Sequence, residues 1–445
     1  MVRKVRRKPD PAAGEDLPHV VVVGAGFAGH TAVRGLVRRL RGRARITVID
    51  QNDHFLYLPL LPEVAVGTLE PRRIAVPLAQ SLHGVDVVLG EVRHIDVDER
   101  TVAWTDPEGG SGQVTYDRLV LAAGSVNKLL PVPGVAEYAH GFRGLPEALY
   151  LRDHLTRQIE LAATARDPAE KAARCTFIVV GAGYTGTEVA AQGVSFTAEL
   201  ARAHPALRGV SPRWMLLDIA KRVLPELDER LSHTADSVLR ERGVDVRTGQ
   251  SVAEALPTCV RLTDTDEEVP THTLIWCVGV RPDPLVQDIG LPTERGRLVV
   301  GTDLAVAGHP EIVACGDVAA VPDVTRPGSA TPMTAQHATR QGALAARNVA
   351  ASLGHGTPRA YKHSDLGFVV GLGGTDAAAN PLGVPLSGLP ATAVTRGYHL
   401  LSMPGNRIRV AADWLLDAVL PRQAVQLGVV RGQHVPLETG PARTG

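Results

Sequence analysis

Two apolar, β-branched runs, VVVV at residues 20–23 and FIVV at residues 177–180, each end in a glycine-rich turn. After each turn, apolar residues recur at helical spacing. An unbroken apolar run of this length predicts a strand covered on both faces, and the spacing after it predicts a helix. The first run predicts a strand over 19–23, a helix over 27–40 and a second strand over 45–49 that ends at Asp50. The second predicts a strand over 176–180, a helix over 184–204 and a strand over 214–217 that ends at Asp218. Between them, 54–77 is rich in Pro and Leu without a period, which suits an ordered loop with a short helix. Residues 90–98 and 101–104 alternate as hairpin strands, with 106–112 as a polar turn. A buried strand over 118–122 stops at Gly124, and a long amphipathic helix follows over 145–166. Further on, the pattern predicts a helix over 224–242, a strand over 273–278 before Gly279, a strand over 312–315 before Gly316 and a helix over 334–353. The remainder mixes short strands and glycine turns with one helix near 407–420.

The turns carry the chemistry. Gly24-Ala25-Gly26-Phe27-Ala28-Gly29 and Gly181-Ala182-Gly183-Tyr184-Thr185-Gly186 both spell G-x-G-x-x-G between a strand and a helix. That setting lets backbone approach a pyrophosphate at a helix N-terminus. Two copies imply two dinucleotides, most economically a flavin and a nicotinamide. Asp50 stands about 20 residues past its glycines, where an acid on the ribose hydroxyls is expected. The longer gap before Asp218 is assigned to an extended helix and loop. A carboxylate there repels a 2′-phosphate and favours NADH over NADPH, while nearby Lys221 and Arg222 leave dual use open. Asp317, at a strand end, suits either a ribityl hydroxyl or a turn. The fold class expected is α/β, with two Rossmann-like dinucleotide-binding domains, the NAD domain inserted into the FAD domain, and a C-terminal α+β region. The expected limits are 1–17 for a basic tail, 18–145 with 301–355 for the FAD-binding domain, 146–300 for the NADH-binding domain, and 356–445 for a C-terminal membrane or dimer region.

Composition removes several alternatives. With 445 residues and 44% hydrophobic content, the chain can bury two or three cores. It carries 47 basic and 47 acidic residues and only 4% aromatics, so neither a basic footprint nor a stacking platform points to nucleic acid. Cys175, Cys259, Cys277 and Cys315 form no close pair, so no metal site is expected. Buried reduced thiols fit a reducing, cytoplasmic compartment. The basic run from Arg3 to Lys8 has no apolar segment behind it and is not a secretory signal. It suits a tail or weak attraction to anionic lipid. No stretch reaches the ~18–20 apolar residues of a membrane span.

Longer segments resemble the type II NADH dehydrogenases, single-subunit flavoproteins, over nearly the whole chain from about Val20 to Arg422. Asp50-Gln51-Asn52-Asp53-His54 through Pro59-Leu60-Leu61 to Val64-Ala65 is similar to that family's loop beside the flavin. Leu121-Ala122-Ala123-Gly124 resembles its "ATG" turn, with Ala123 in place of Thr. Thr273 to Trp276 with Gly279-Val280-Arg281, and Gly308-His309-Pro310 to Gly316-Asp317, resemble its second such strand and its flavin-closing segment.

The resemblance implies that Gly24, Gly26, Gly29, Asp50, Val92, Gly124 and Asp317 hold FAD. It implies that Gly181, Gly183, Gly186, Asp218 and Gly279 hold NADH, and that Glu188 matches the acid that follows the second motif. In the family's quinone-side helix, Gln336 and Gln341 match, but Arg340 stands where a glutamine is usual. An arginine there could polarise a quinone oxygen, stabilise a reduced flavin anion or obstruct the quinone's path. The C-terminal stretch 389–421 resembles a membrane-resting region thinned of apolar residues, which suits contact with a second subunit in a homodimer or with lipid at the inner face of the cell membrane. The activity implied is hydride transfer from NADH to FAD and two electrons onward to a quinone. A soluble diaphorase with another acceptor, and a slow redox sensor, keep the same glycine motifs.

Overall fold

The computed structural model describes residues 17–363 and 367–437. The basic run near the start of the chain lies outside them. The described chain forms two compact units. The first lies within 1–55, 77–125 and 281–363; the second lies within 56–76, 126–280 and 364–445. These limits depart from the pattern-based ones. Residues 56–76 and 126–145 fold with the second unit, and 281–300 with the first. The C-terminal residues are not set apart but join the second unit. The reason for the 56–76 crossover is burial. The short helix Leu61–Ala65 buries Leu61, Pro62, Val64 and Ala65, packing on helices Leu145–Thr164 and Tyr184–Ala203 of the second unit.

In the first unit a six-stranded sheet runs in the order Ala305–Val306, His309–Ala314, Arg118–Leu121, His19–Val23, Arg45–Asp50, Asp86–Leu89. All pairs are parallel except the edge pair 305–306 with 309–314. Val20 aligns with Ile46 on one side and Arg118 on the other. A central strand with both faces covered has no solvent side, which is why its sequence shows no alternation. Strand 309–314 rejoins this sheet beside 118–121, so the chain returns to the first fold after the second has been made. Helices Phe27–Leu40 and Ala335–Ser352 pack at backbone distance. A Cβ on Gly342 would lie 2.1 Å from the carbonyl oxygen of Ala28, and one on Gly35 would lie 2.5 Å from Ala346 Cβ.

An antiparallel meander of Glu91–Asp96, Thr101–Thr105 and Ser111–Thr115 completes this unit's larger elements. Its third strand overlaps the stretch expected as a polar turn. SGQVT is half exposed, with no apolar alternation to announce a strand.

The second unit repeats the plan. Its sheet is parallel throughout, in the order Ala139–Gly141, Leu274–Trp276, Thr176–Val180, Arg213–Asp218, Val244–Thr248. Trp214 and Phe177, both fully buried, stack 5.0 Å apart, and Trp214 Nε1 donates to Thr197 Oγ1 at 2.9 Å. The indole fills the space left by Gly193, where a Cβ would lie 2.2 Å from it. Near the C-terminus there are two helices, Gly388–Ser402 and Arg407–Val419, where the pattern predicts one. The first carries Gly388, Pro390, Gly397 and several β-branched residues, a composition of low helix propensity that tertiary packing overrides.

Candidate functional site

Each unit builds its glycine turn in the same way. Gly24 has φ +91°, and its amide donates to Ile49 O at 2.8 Å. A Cβ on Gly24 would sit 2.4 Å from Ala122 O, and one on Gly29 would sit 1.8 Å from Gly24 O. In the second unit Gly181 has φ +103° and donates to Leu217 O at 2.8 Å. Its Cβ would meet Cys277 O at 2.2 Å, and that of Gly186 would meet Gly181 O at 1.8 Å. The middle glycines differ from these. Around a Cβ on Gly26 or Gly183 nothing lies within 4 Å. The outer glycines permit close packing within the protein, whereas the middle ones face open space.

The acids at the ends of the second strands are also alike. Asp50 accepts from the amides of Ala25 at 2.6 Å and Asn52 at 2.8 Å. Asp218 accepts from Ala182 at 2.6 Å and Ala220 at 2.7 Å. Each carboxylate thereby clamps its own glycine turn, in addition to any ribose it meets. Burial pushes the Asp50 carboxyl above its usual range, against the opposing pull of the Asn52 and Ala25 amides.

The helices that open at Gly26 and Gly183 have no side-chain cap and no acid in their first turns. Elsewhere Asp167, Asp228 and Thr334 cap helix starts. Orphan amides and the positive end of a helix dipole, beside space free of side chains, fit a diphosphate. Both turns therefore pass a physical test for a dinucleotide.

Other expected site residues fall into three groups. In the first unit Ser125 Oγ donates to Asp317 at 2.5 Å, and the Gly316 amide donates to Gln341 Oε1 at 2.8 Å. Gln341 Nε2 donates in turn to Thr331 Oγ1 at 2.9 Å. Gln341 is 1% exposed with both ends of its amide engaged. The structure thus makes it a brace for Gly316-Asp317 rather than a group presented to an acceptor. Gly124 has φ +81° at the end of its strand, and half-buried Val92 lies opposite Trp104 in the meander.

Arg340 donates to His363 Nδ1 at 2.8 Å and to Gln336 Oε1 at 3.2 Å. His363 stacks on His337 with centroids 3.9 Å apart, and His337 Nδ1 shares a 2.8 Å hydrogen bond with the Tyr361 hydroxyl. Only the Gln336–Arg340 pair, four residues apart on one helix, was legible in the sequence. Tyr361 and His363 arrive from a segment with no motif of its own.

In the second unit Gly279 has φ +99°, and its carbonyl accepts from the Lys128 amide at 3.1 Å. Glu188 lies at the fifth position of its helix, past the first turn, so it is not the first-turn complement to the dipole. Its Oε1 accepts from the Gly371 amide at 2.9 Å. Withdrawal from water pushes Glu188 up to about 8, with nearby Glu63 adding to the shift and the Gly371 bond opposing it. Glu63 itself, bonded by Trp414 Nε1 at 2.5 Å, is pushed up to about 7 by burial. Glu63 and Trp414 were not singled out from sequence. The available signal was a lone acid in the otherwise apolar run LPLLPEVAV at residues 58–66.

All four cysteines are free thiols, and burial pushes Cys277 and Cys315 up to about 12. Such thiols are poor nucleophiles. Among the described residues no group of His, Cys, Asp and Glu is placed to hold a metal ion.

Residues 18–342 match the pyridine nucleotide-disulphide oxidoreductase family. The chain is 30% identical over 436 residues to the type II NADH:quinone oxidoreductase Ndh of Mycobacterium tuberculosis, spanning 93% of this chain and 91% of that one. It is also 30% identical to the demethylphylloquinone reductase NdbB of Synechocystis sp., over 89% of this chain and 96% of the relative. Among solved structures, NDH2 of Plasmodium falciparum in complex with NADH superposes with a TM-score of 0.83 over 92% of this chain and 99% of that one. Its 16% identity makes this a likeness of fold.

The raised carboxyls have a consequence for stability. Between about pH 4.5 and pH 8 the folded protein keeps a proton on Glu188 that the unfolded chain releases, so stability falls as pH rises through that window. Glu188→Gln removes this dependence. Thermal melting from about pH 5 to about pH 9 should show the variant gaining on the wild type as pH rises. A constant difference across the range would contradict the assignment.

Proposed function

This chain belongs to the type II NADH:quinone oxidoreductases, within the pyridine nucleotide-disulphide oxidoreductase family, and on that premise we propose that it is an FAD-dependent NADH dehydrogenase that reduces a quinone without pumping protons. The observation that carries the reading is the duplicated turn, with an uncapped helix start and open space over the middle glycine in each unit. When bound, FAD would supply the redox chemistry, accepting a hydride from NADH and releasing two electrons to the acceptor. Gly24, Gly26, Gly29, Asp50, Val92, Gly124 and Asp317 are the residues assigned to hold it. Gly181, Gly183, Gly186, Asp218 and Gly279 are assigned to NADH. Asp218, already oriented by two amides, would receive ribose hydroxyls and disfavour a 2′-phosphate.

Arg340, with Gln336 and His363, is assigned to the acceptor side. Its guanidinium donates and cannot accept, so it suits a quinone oxygen that gains negative charge. The same substitution of arginine for glutamine supports a second reading, a diaphorase with a different electron acceptor.

Among the described residues no helix is long and apolar enough to cross a membrane. The two C-terminal helices nevertheless expose Leu389, Leu401, Ile408, Leu415 and Val419, each more than 60% accessible. We assign this surface to contact with a second copy of the chain, with peripheral lipid contact as the rival.

Three outcomes are expected. The purified protein should be yellow, bleach with NADH under anaerobic conditions and recolour with a soluble quinone. Arg340→Gln should change quinone kinetics while leaving NADH-driven bleaching nearly unaltered; equal loss in both halves would remove Arg340 from the acceptor side. Sedimentation should report a dimer that Leu415→Asp with Val419→Asp splits. A monomeric wild type that floats with anionic vesicles would instead favour lipid.

A further inference from the structure

The second unit contains a polar pocket that none of the assignments above uses. Its wall includes Glu63, Gln192, Gly371, Thr395, Arg396 and Asp417. These come from the short helix 61–65, the glycine-motif helix 184–203, the strand Val369–Gly371 and both C-terminal helices. Two of the pocket's acids are already paired. Asp417 is held by Arg422 at 2.6 and 3.0 Å, and Asp376 by Arg242 at 2.8 Å. Arg396 lies over the Trp414 ring at 5.1 Å.

Glu63 differs from those acids. One of its oxygens accepts from Trp414 Nε1, and the other has no protein partner among the described residues. Thr395 Oγ1, also in the wall, is buried without a protein partner. A buried hydroxyl in that condition suits an ordered water. Gly371 forms the wall next to Glu188. Its amide holds the Glu188 carboxyl, and a Cβ there would stand 3.6 Å from Glu188 Oε1. Gln192, one helical turn past Glu188, lines the same pocket. The pocket thus brings water-accessible space to Glu63 on one side and to the backbone that holds Glu188 on the other.

The overall reaction demands a proton source. NADH, a quinone and one proton give NAD⁺ and a quinol. The hydride carries both electrons and one of the two hydrogens that the quinol gains; water must provide the other. We propose that Glu63 is a proton-relay residue, which takes that proton from water in the pocket and passes it toward Glu188. This rests on the quinone-reductase reading. Glu63 changes between neutral acid and carboxylate at each turnover, and the proton leaves along the pocket wall toward the second turn of the glycine-motif helix.

The surroundings suit this role. Burial and Asp417 favour the acid at Glu63, while the Trp414 hydrogen bond, Arg396 and Arg422 favour the carboxylate, and Glu63 in turn favours the acid at Glu188. The balance leaves Glu63 exchanging its proton at about 7 and Glu188 at about 8. Both values fall where water can load and unload an acid.

Glu63→Gln tests the proposal in the flavin-loaded full chain, because glutamine keeps an oxygen for Trp414 but carries no exchangeable acid proton. Quinone-linked turnover should fall at least about tenfold and lose its inflection near neutral pH. Turnover with ferricyanide, which takes electrons and releases a proton instead of consuming one, should be nearly unaffected. Glu63→Asp should restore part of the quinone rate. Infrared difference spectra between about pH 6 and pH 9 should contain a protonated-carboxyl band that Glu63→Gln removes. Equal loss with both acceptors, or an unchanged quinone profile, would overturn the relay. If the wild type reduced no quinone, the reductase reading would fail by itself, and the infrared band would still decide whether Glu63 exchanges a proton; its absence would overturn the proposal.

Discussion

Both units depend on backbone meeting backbone where no side chain can fit. Gly29 and Gly186 lie against the carbonyls of Gly24 and Gly181 so closely that a Cβ would stand 1.8 Å from oxygen. Gly24 and Gly181 press on the neighbouring strand ends, 118–121 and 274–276, at left-handed φ values open to glycine at little cost. This packing draws each helix start down onto its sheet. Substituting any of the four would force helix and strand apart or impose backbone strain, and overpacking of that kind costs about 1–3 kcal/mol or more. The cofactor cradle is what remains above the middle glycine once that approach has been made.

The electrostatics follow from the same geometry. A helix start pinned to the sheet has its first amides aimed at one spot, and the absence of a capping side chain leaves them available. Asp50 and Asp218 each tie a turn amide to the end of the next strand, so the acid that would meet a ribose also fixes the cradle. Glu63 and Glu188 obey a different rule. Desolvation raises both carboxyls toward neutral pH, and Glu63 also borders the pocket that contains Arg396 and Asp417. One unit therefore combines fixed positive ends for phosphates with movable protons for chemistry.

Much of this was legible in the sequence. The strands at 19–23 and 176–180 are continuous apolar runs because both faces of each sheet are covered, and each helix behind them follows at once. The glycine spacing located both cradles, and Asp50 and Asp218 could be placed from strand ends alone. Less legible were contacts made by residues far apart in the chain. Tyr361 and His363 reach Arg340 from a segment with no period. The helix at 388–402 is poor in helix formers, and the strand at 111–115 is half exposed. Gln341 matched a motif, yet its amide braces Gly316 and Thr331, a use that no local pattern distinguishes from acceptor contact. The division between units escaped for a similar reason. Residues 56–76 are continuous with the first domain in sequence but bury their apolar side chains in the second.

Each glycine turn is assigned its own dinucleotide. Gly183 tests it most directly, since its φ of −74° suits any residue and nothing lies where its Cβ would be. Flavin content and NADH-driven bleaching can be measured together on Gly183→Val. Gly183→Val should give a folded, yellow protein with one flavin per chain that NADH no longer bleaches at concentrations sufficient for the wild type. A variant that loses its flavin, or that bleaches as readily as the wild type, would contradict the assignment.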